Sequence, residues 1–216
     1  MVRIAPSILS GNFLNLEPDI RMVNKNADLI HIDVMDGSFV PNISFGFPVV
    51  EAIAKAVTVP MDVHLMIVNP DKYVERFAKT GAEMISFHLE AADQAGKDPR
   101  DIIAQIKSFG VKAGLVINPD IPVERLFPYI DDVDFFLIMS VFAGFGGQKF
   151  IPESIDRIKT LKAEMDRRGV LKDIEVDGGV SASNAHILAE AGATILVAGS
   201  SVFKAESPAK AINELR

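Results

Sequence analysis

Eight times along the chain, a short apolar segment of strand-like composition is followed by a stretch whose apolar residues recur at helical spacing. This alternation limits the fold more than any other feature. The strand segments are Arg3 to Ile8, Leu29 to Val34, Met61 to Met66, Met84 to His88, Lys112 to Ile117, Phe135 to Met139, Ile174 to Asp177 and Ile195 to Ala198. Between them lie helical patterns, among them VVEAIAKAV before Pro60, PDKYVERFAKTGA, PRDIIAQIKSFG, PESIDRIKTLKAEMDRRG and SASNAHILAEAGA, several opened by Pro, Asp or Ser and closed by Gly. A strand apolar on both faces and returned by a helix belongs in a parallel sheet, and eight such units close a (β/α)8 TIM barrel. The alternative, an open doubly wound sheet, collects its reactive residues at one switch point. Here polar residues stand at the C-terminal ends of many strands, which favours the barrel. No linker or low-complexity segment interrupts the rhythm, so the expectation is a single barrel domain over residues 1–216.

Composition narrows the function. The formal charge of -7 gives no electrostatic reason to expect a nucleic acid or an anionic membrane, so an anionic ligand would have to be met by a local pocket. With no cysteine there is no disulfide framework and no thiolate chemistry. The N-terminus MVRIAPSILS lacks the apolar core and cleavage site of a signal peptide, and every apolar run is cut by Asp, His, Gly or Pro before it could span a membrane. The expected location is the cytoplasm.

Side chains alternate along a strand, so in LIHIDVMDG the residues His31, Asp33 and Met35 share one face. In MDVHLMI, His64 and Met66 do the same, and IEVDGG ends with Asp177 before two glycines. Two imidazoles and two carboxylates thus converge on one mouth of the expected barrel. A carboxylate buried there needs a counter-charge, which a divalent cation would supply. The mixed His/Asp set suits Zn, Fe(II), Mn or Co better than Mg or Ca and does not choose among the four. A lone histidine in a strand is ordinarily a satisfied core residue; the joint pattern argues for the metal.

Glycines provide a second element. Gly144, Phe145, Gly146 and Gly147 follow the sixth strand segment, Gly178 and Gly179 the seventh, and Gly199 and Ser200 the eighth. Glycine lets backbone N–H groups approach an anion closely, and a helix start adds favourable partial charge. Barrel loops also use glycine merely to turn, but these three are neighbours at the usual barrel phosphate position.

These residues spell motifs that resemble ribulose-phosphate 3-epimerases: APSILS at 5–10, HIDVMDGSFVPN at 31–42, DVHLMI at 62–67, MSVFAGFGGQKFIP at 139–152, VDGGV at 176–180 and AGSSVF at 198–203. The resemblance implies that His31, Asp33, His64 and Asp177 bind one divalent metal ion and that Asp33 and Asp177 form the acid/base pair. It implies that Ser7 touches the substrate, that Met35, Met66 and Met139 line the reacting centre, and that the glycine loops hold the phosphate. The implied reaction interconverts D-ribulose 5-phosphate and D-xylulose 5-phosphate through a metal-stabilised enediolate. The implied partner is a small phosphorylated ketose, and the implied assembly a homo-oligomer, either dimer or hexamer. The roles are chemically coherent, because inversion needs a carboxylate on each face of a planar intermediate.

The chain departs from the family pattern at Ser38, commonly His; at Phe47, commonly Pro; and at Phe142-Ala143, commonly Asn-Pro. The last pair opens the loop after the sixth strand, which leaves an allulose-6-phosphate 3-epimerase as the alternative. Two further classes are weaker. A Schiff-base aldolase would need an interior lysine near a strand's C-terminal end, and Lys112 and Lys149 are poorly placed for it. A non-enzymatic sugar-phosphate sensor would have no need of paired carboxylates. His88 and His186 receive no role, and the charged stretch Asp156 to Arg168 reads as a solvated helix face.

Overall fold

A computed structural model describes residues 2–216. The eight apolar segments form parallel strands: β1 (Arg3–Pro6), β2 (Ile30–Met35), β3 (Met61–Met66), β4 (Met84–His88), β5 (Lys112–Ile117), β6 (Phe135–Met139), β7 (Asp173–Asp177) and β8 (Ile195–Ala198). Their hydrogen-bonded order, β1-β8-β7-β6-β5-β4-β3-β2, winds the sheet round on itself. The remaining seam, between β1 and β2, is crossed by a parallel bridge between Ser7 and His31. The expected barrel is therefore present. The helices are α1 (Glu17–Asn26), α2 (Phe47–Ala56), α3 (Val74–Lys79), α4 (Leu89–Ala95), α5 (Pro99–Ser108), α6 (Ser154–Arg168), α7 (Ala185–Ala191), α8 (Ser200–Phe203) and α9 (Pro208–Glu214). No helix among the described residues is long and apolar enough to cross a membrane.

Local chemistry moves several boundaries from their expected places. The first strand ends at Pro6, two residues short of Ile8, because Ser7 caps a 3-10 turn over Ile8–Ser10 and its Oγ accepts the Leu9 N–H. The segment PDKYVERFAKTGA splits: Asn69 adopts a left-handed conformation and Pro70–Lys72 forms a 3-10 turn before α3 begins. In SASNAHILAEAGA the first four residues are spent on a turn in which Ser181 N–H donates to Asn184 Oδ1. Between β5 and β6 the return is a 3-10 helix, Val123–Tyr129, with Pro128 inside it and no α-helix.

Alternation along each strand sorts side chains to two cores. Ile30, Ile32 and Val34 of β2, with Val63 and Leu65 of β3, join the large apolar cluster beneath the helices. The barrel interior is filled differently at its two ends. Leu29, Met84, Phe135 and Ile195, towards the N-terminal end, form one apolar cluster with Ala5 and Val197. Gly114 makes room there, since a Cβ on it would lie 2.3 Å from the Phe135 ring. Towards the C-terminal end the buried residues turn polar: His31, Asp33, Asp62, His64, Ser86, His88 and Glu175.

Candidate active site

The sequence-predicted residues His31, Asp33, His64 and Asp177 each direct one ligand-type atom to a common point, and all four atoms lie within 4.8 Å of one another. Adjacent strands in register, with Asp33 opposite His64, bring the first three together, and β7 contributes Asp177. Asp33 Oδ1 is 3.4 Å from His31 Nε2 and 3.3 Å from His64 Nδ1, and Asp177 Oδ2 is 4.0 Å from His64 Nδ1. Both of those ring nitrogens are buried without a hydrogen-bond partner, which is costly unless a further group accepts their lone pairs. Two atoms that each sit about 2.1 Å from a tetrahedral cation are about 3.4 Å apart. The cluster can therefore hold a divalent metal ion.

The electrostatics of the cluster are uneven. Burial alone would raise Asp33, but the His31 and His64 imidazoles outweigh it and hold its carboxyl far below the usual range. Asp177 stands farther from the imidazoles, and burial together with the Asp33 charge pushes it up to about 7. His64 is lowered to about 4, first by burial. For His31, burial is overcome by Asp33 and Asp62, and its pKa rises well above the normal value. Beneath lies a second polar shell that sequence reasoning missed. Asp62 Oδ2 is 2.6 Å from His31 Nδ1, and Glu175 Oε1 is 3.5 Å from the same atom. Burial and the neighbouring Asp62 charge push Glu175 well above the carboxylate range, whereas Asp62 is lowered.

Above this floor opens a cleft with about 530 Å³ of empty space, part of it facing solvent. Asp33, Asp177, Ser7 and the three methionines Met35, Met66 and Met139 line it; His31 and His64 lie buried below. Ser7 Oγ donates to Asp33 Oδ2 at 2.5 Å. The predicted glycine-loop residues Gly144, Phe145, Gly146, Gly147, Gly178, Gly179, Gly199 and Ser200 form one wall, which contains no Lys or Arg. Two of the glycines are sterically required. A Cβ on Gly178 (φ 122°) would approach Val141 N to 2.8 Å, and one on Gly179 (φ 63°) would approach Phe150 N to 2.5 Å. The helix after Gly199 is only four residues long, so individual N–H groups, and not a long helix dipole, face the cleft.

The departures from the family pattern separate in space. Phe47 opens α2 on the outside of the barrel, 4.4 Å from the Phe77 ring, with the Arg76 guanidinium stacked on its face. Ser38 is exposed, its N–H bonded to Asp36. Phe142 is a half-exposed residue at the cleft mouth, and Ala143 N–H donates to Asn118 Oδ1, a bond that a proline could not make. The two unassigned histidines also divide. His186 is a surface residue paired with Glu190. His88 is fully buried, with its Nε2 2.9 Å from His64 Nε2. Lys112 is an exposed ion-pair partner of Glu83, far from any aldolase role.

A sequence profile of the Ribulose-phosphate 3 epimerase family matches residues 3–203. The chain is 49% identical to a ribulose-phosphate 3-epimerase of Bacillus subtilis (strain 168), covering 100% of this chain and 99% of that one. It is 48% identical to one of Synechocystis sp., covering 99% and 92%. Among solved structures, KGPDC from Streptococcus mutans superposes with a TM-score of 0.73 at 12% identity, covering 100% of this chain and 95% of that one. That likeness concerns the barrel alone.

Proposed function

The chain belongs to the ribulose-phosphate 3-epimerase family, an isomerase family, and from that premise we propose that it interconverts D-ribulose 5-phosphate and D-xylulose 5-phosphate. The observation that carries this reading is the pair Asp33 and Asp177, from strands three places apart round the barrel, meeting at the floor of a glycine-walled cleft. His31, Asp33, His64 and Asp177 would hold one divalent ion of the Zn, Fe(II), Mn and Co class. Such an ion supplies Lewis acidity, stabilising the charge that gathers on the ketone oxygen as the neighbouring C–H proton leaves.

The remaining chemistry belongs to the chain. Asp33, held ionised, takes the C3 proton from one face of the ketose, and Asp177 returns a proton to the other; in the reverse direction the roles exchange. Ser7 orients the Asp33 carboxylate through its 2.5 Å hydrogen bond. Met35, Met66 and Met139 present polarizable, aprotic surface to the planar enediolate and keep water from quenching it. The phosphate is met by backbone N–H groups of the loops carrying Gly144 to Gly147, Gly178-Gly179 and Gly199-Ser200. Neutral donors suffice, which is compatible with a net charge of -7.

The test is steady-state kinetics of metal-loaded and metal-stripped protein on D-ribulose 5-phosphate and D-allulose 6-phosphate side by side. The proposal expects the higher kcat/KM on the pentose and loss of turnover without metal. A preference for the hexose would assign Phe142-Ala143 to the longer substrate and overturn the pentose reading. Full activity after stripping would remove the metal from the mechanism.

A further inference from the structure

His88 is fully buried, edge to edge with the His64 ring (centroids 5.0 Å apart) and 4.9 Å from the Phe39 ring centroid, and nothing in the reaction just described uses it. Its Nε2 lies 2.9 Å from His64 Nε2, so a single proton must sit between the two rings. Two arrangements satisfy that contact. If His88 donates, the neutral His64 carries its proton on Nδ1, the atom that faces Asp33 and Asp177, and has no lone pair to offer there. If His64 donates, its Nδ1 lone pair is free and the proton of His88 is displaced to Nδ1.

Glu90 decides between them. Its Oε1 lies 3.6 Å from His88 Nδ1 and also accepts the Asn118 backbone N–H at 3.0 Å and side-chain Nδ2 at 2.9 Å. An ionised carboxylate can only accept, so a proton on His88 Nδ1 is stabilised and a lone pair there is repelled. Asn118 Nδ2 is also 3.5 Å from His88 Nδ1, the limit of a hydrogen bond, but its better-placed acceptor is Glu90. On the other side of the cluster Asp62 does the same for His31 directly, its Oδ2 2.6 Å from Nδ1, leaving Nε2 free to face Asp33.

We propose that His88 is a positioning residue: with Glu90 behind it, it accepts the Nε2–H of His64 and thereby fixes the tautomer whose Nδ1 lone pair points at Asp33 and Asp177. The inference rests on the proposed metal-holding role of His64. It makes the two ligand imidazoles the ends of two outer carboxylate supports, one direct and one relayed.

The experiment is titration of metal-stripped protein with Co²⁺, read by its visible d–d absorption and by chelator competition, for wild type, His88→Leu, His88→Gln and Glu90→Gln. Leucine removes the acceptor, and glutamine restores one through its side-chain oxygen. The expected result is a Co²⁺ affinity about 10–100-fold weaker in His88→Leu, largely recovered in His88→Gln, with Glu90→Gln in between. Co²⁺ bound by His88→Leu with wild-type affinity and spectrum would overturn the inference while leaving the proposed function standing. Absence of Co²⁺ binding by wild type would overturn both. Should His88→Leu fail to fold, long-range ¹H–¹⁵N spectra of the metal-free wild type decide: the His64 proton is expected on Nε2, and its appearance on Nδ1 refutes the assignment.

Discussion

Phe135 and Met139 stand four residues apart on β6, and both face the barrel interior. Phe135 lies at the N-terminal end, in an apolar cluster with Ala5, Leu29, Met84, Ile195 and Val197. Met139 lies beside the cleft, whose floor includes Asp33 and Asp177. The same contrast runs along β7, where Ile174 and Val176 pack outward while Glu175 and Asp177 turn in towards buried charge. One end of the interior is closed by ordinary burial, which stabilises by roughly 1.5–3 kcal/mol for each large side chain. The other end accumulates buried carboxylates and unpartnered ring nitrogens, which cost free energy until something charged meets them. Stability and chemistry are therefore separated along a single barrel axis, and substitutions at the two ends should fail in different ways.

The largest separation is expected from Asp177→Asn. Turnover should fall by at least about 10³-fold, while the metal-free protein melts at the same temperature as wild type or above it, because a neutral amide relieves the repulsion from Asp33. A large loss of thermal stability would show that the polar end supports the fold. Phe135→Ala is the converse: it should cost about 3–5 kcal/mol in urea unfolding and leave kcat of the folded fraction within about threefold of wild type. A collapse of kcat with the fold intact would deny that the two ends act independently.

Metal removal should act on the polar end alone. At metal concentrations near 100 times the dissociation constant, binding adds about 2.7 kcal/mol. For a chain of this size that is a rise of roughly 5–10 °C in melting temperature. Phe135→Ala should show the same increment and Asp177→Asn a smaller one, read by differential scanning calorimetry with and without chelator. The last effect depends on pH and concerns Glu175, whose folded pKa lies above its unfolded value. Its protonated form stabilises the fold fully below the unfolded pKa of about 4.3, and that contribution is lost as pH rises, by about 1.4 kcal/mol per unit. Glu175→Gln stays neutral. In chelator-treated protein its stability relative to wild type should therefore grow from pH 5 to pH 7, and a gap that narrows would contradict the raised pKa of Glu175.

Periodicity made the barrel legible, because each strand alternates cleanly between an apolar outer face and the interior. The places where it misled are backbone events that periodicity does not report. Ser7 caps a turn where a strand residue was expected, and the helical pattern from Pro70 divides at Tyr73 into a 3-10 turn and α3. The four clustered residues were legible because alternation puts His31 and Asp33 on one face of β2 and His64 on the matching face of β3, while Asp177 ends β7 before two glycines. Asp62 and Glu175 were equally accessible, standing two residues before His64 and Asp177 on the same faces, but nothing in the sequence says that Asp62 backs the ring of His31 on the neighbouring strand. His88 needed the adjacency of β3 and β4 as well as alternation, and its contact with His64 is a tertiary fact. Phe47 was equally uninformative in sequence, and only its stacking with Phe77 and Arg76 on the outer surface separates it from the site.

The central claim is that two carboxylates, one on each face of the ketose, share the inversion. The direct measurement is solvent deuterium exchange at C3 in metal-saturated Asp177→Asn, followed by NMR from each epimer separately. The account predicts that one epimer exchanges its C3 proton while interconversion stops, since Asp33 still serves its own face. Continued epimerisation, or exchange from both epimers at equal rates, would contradict it.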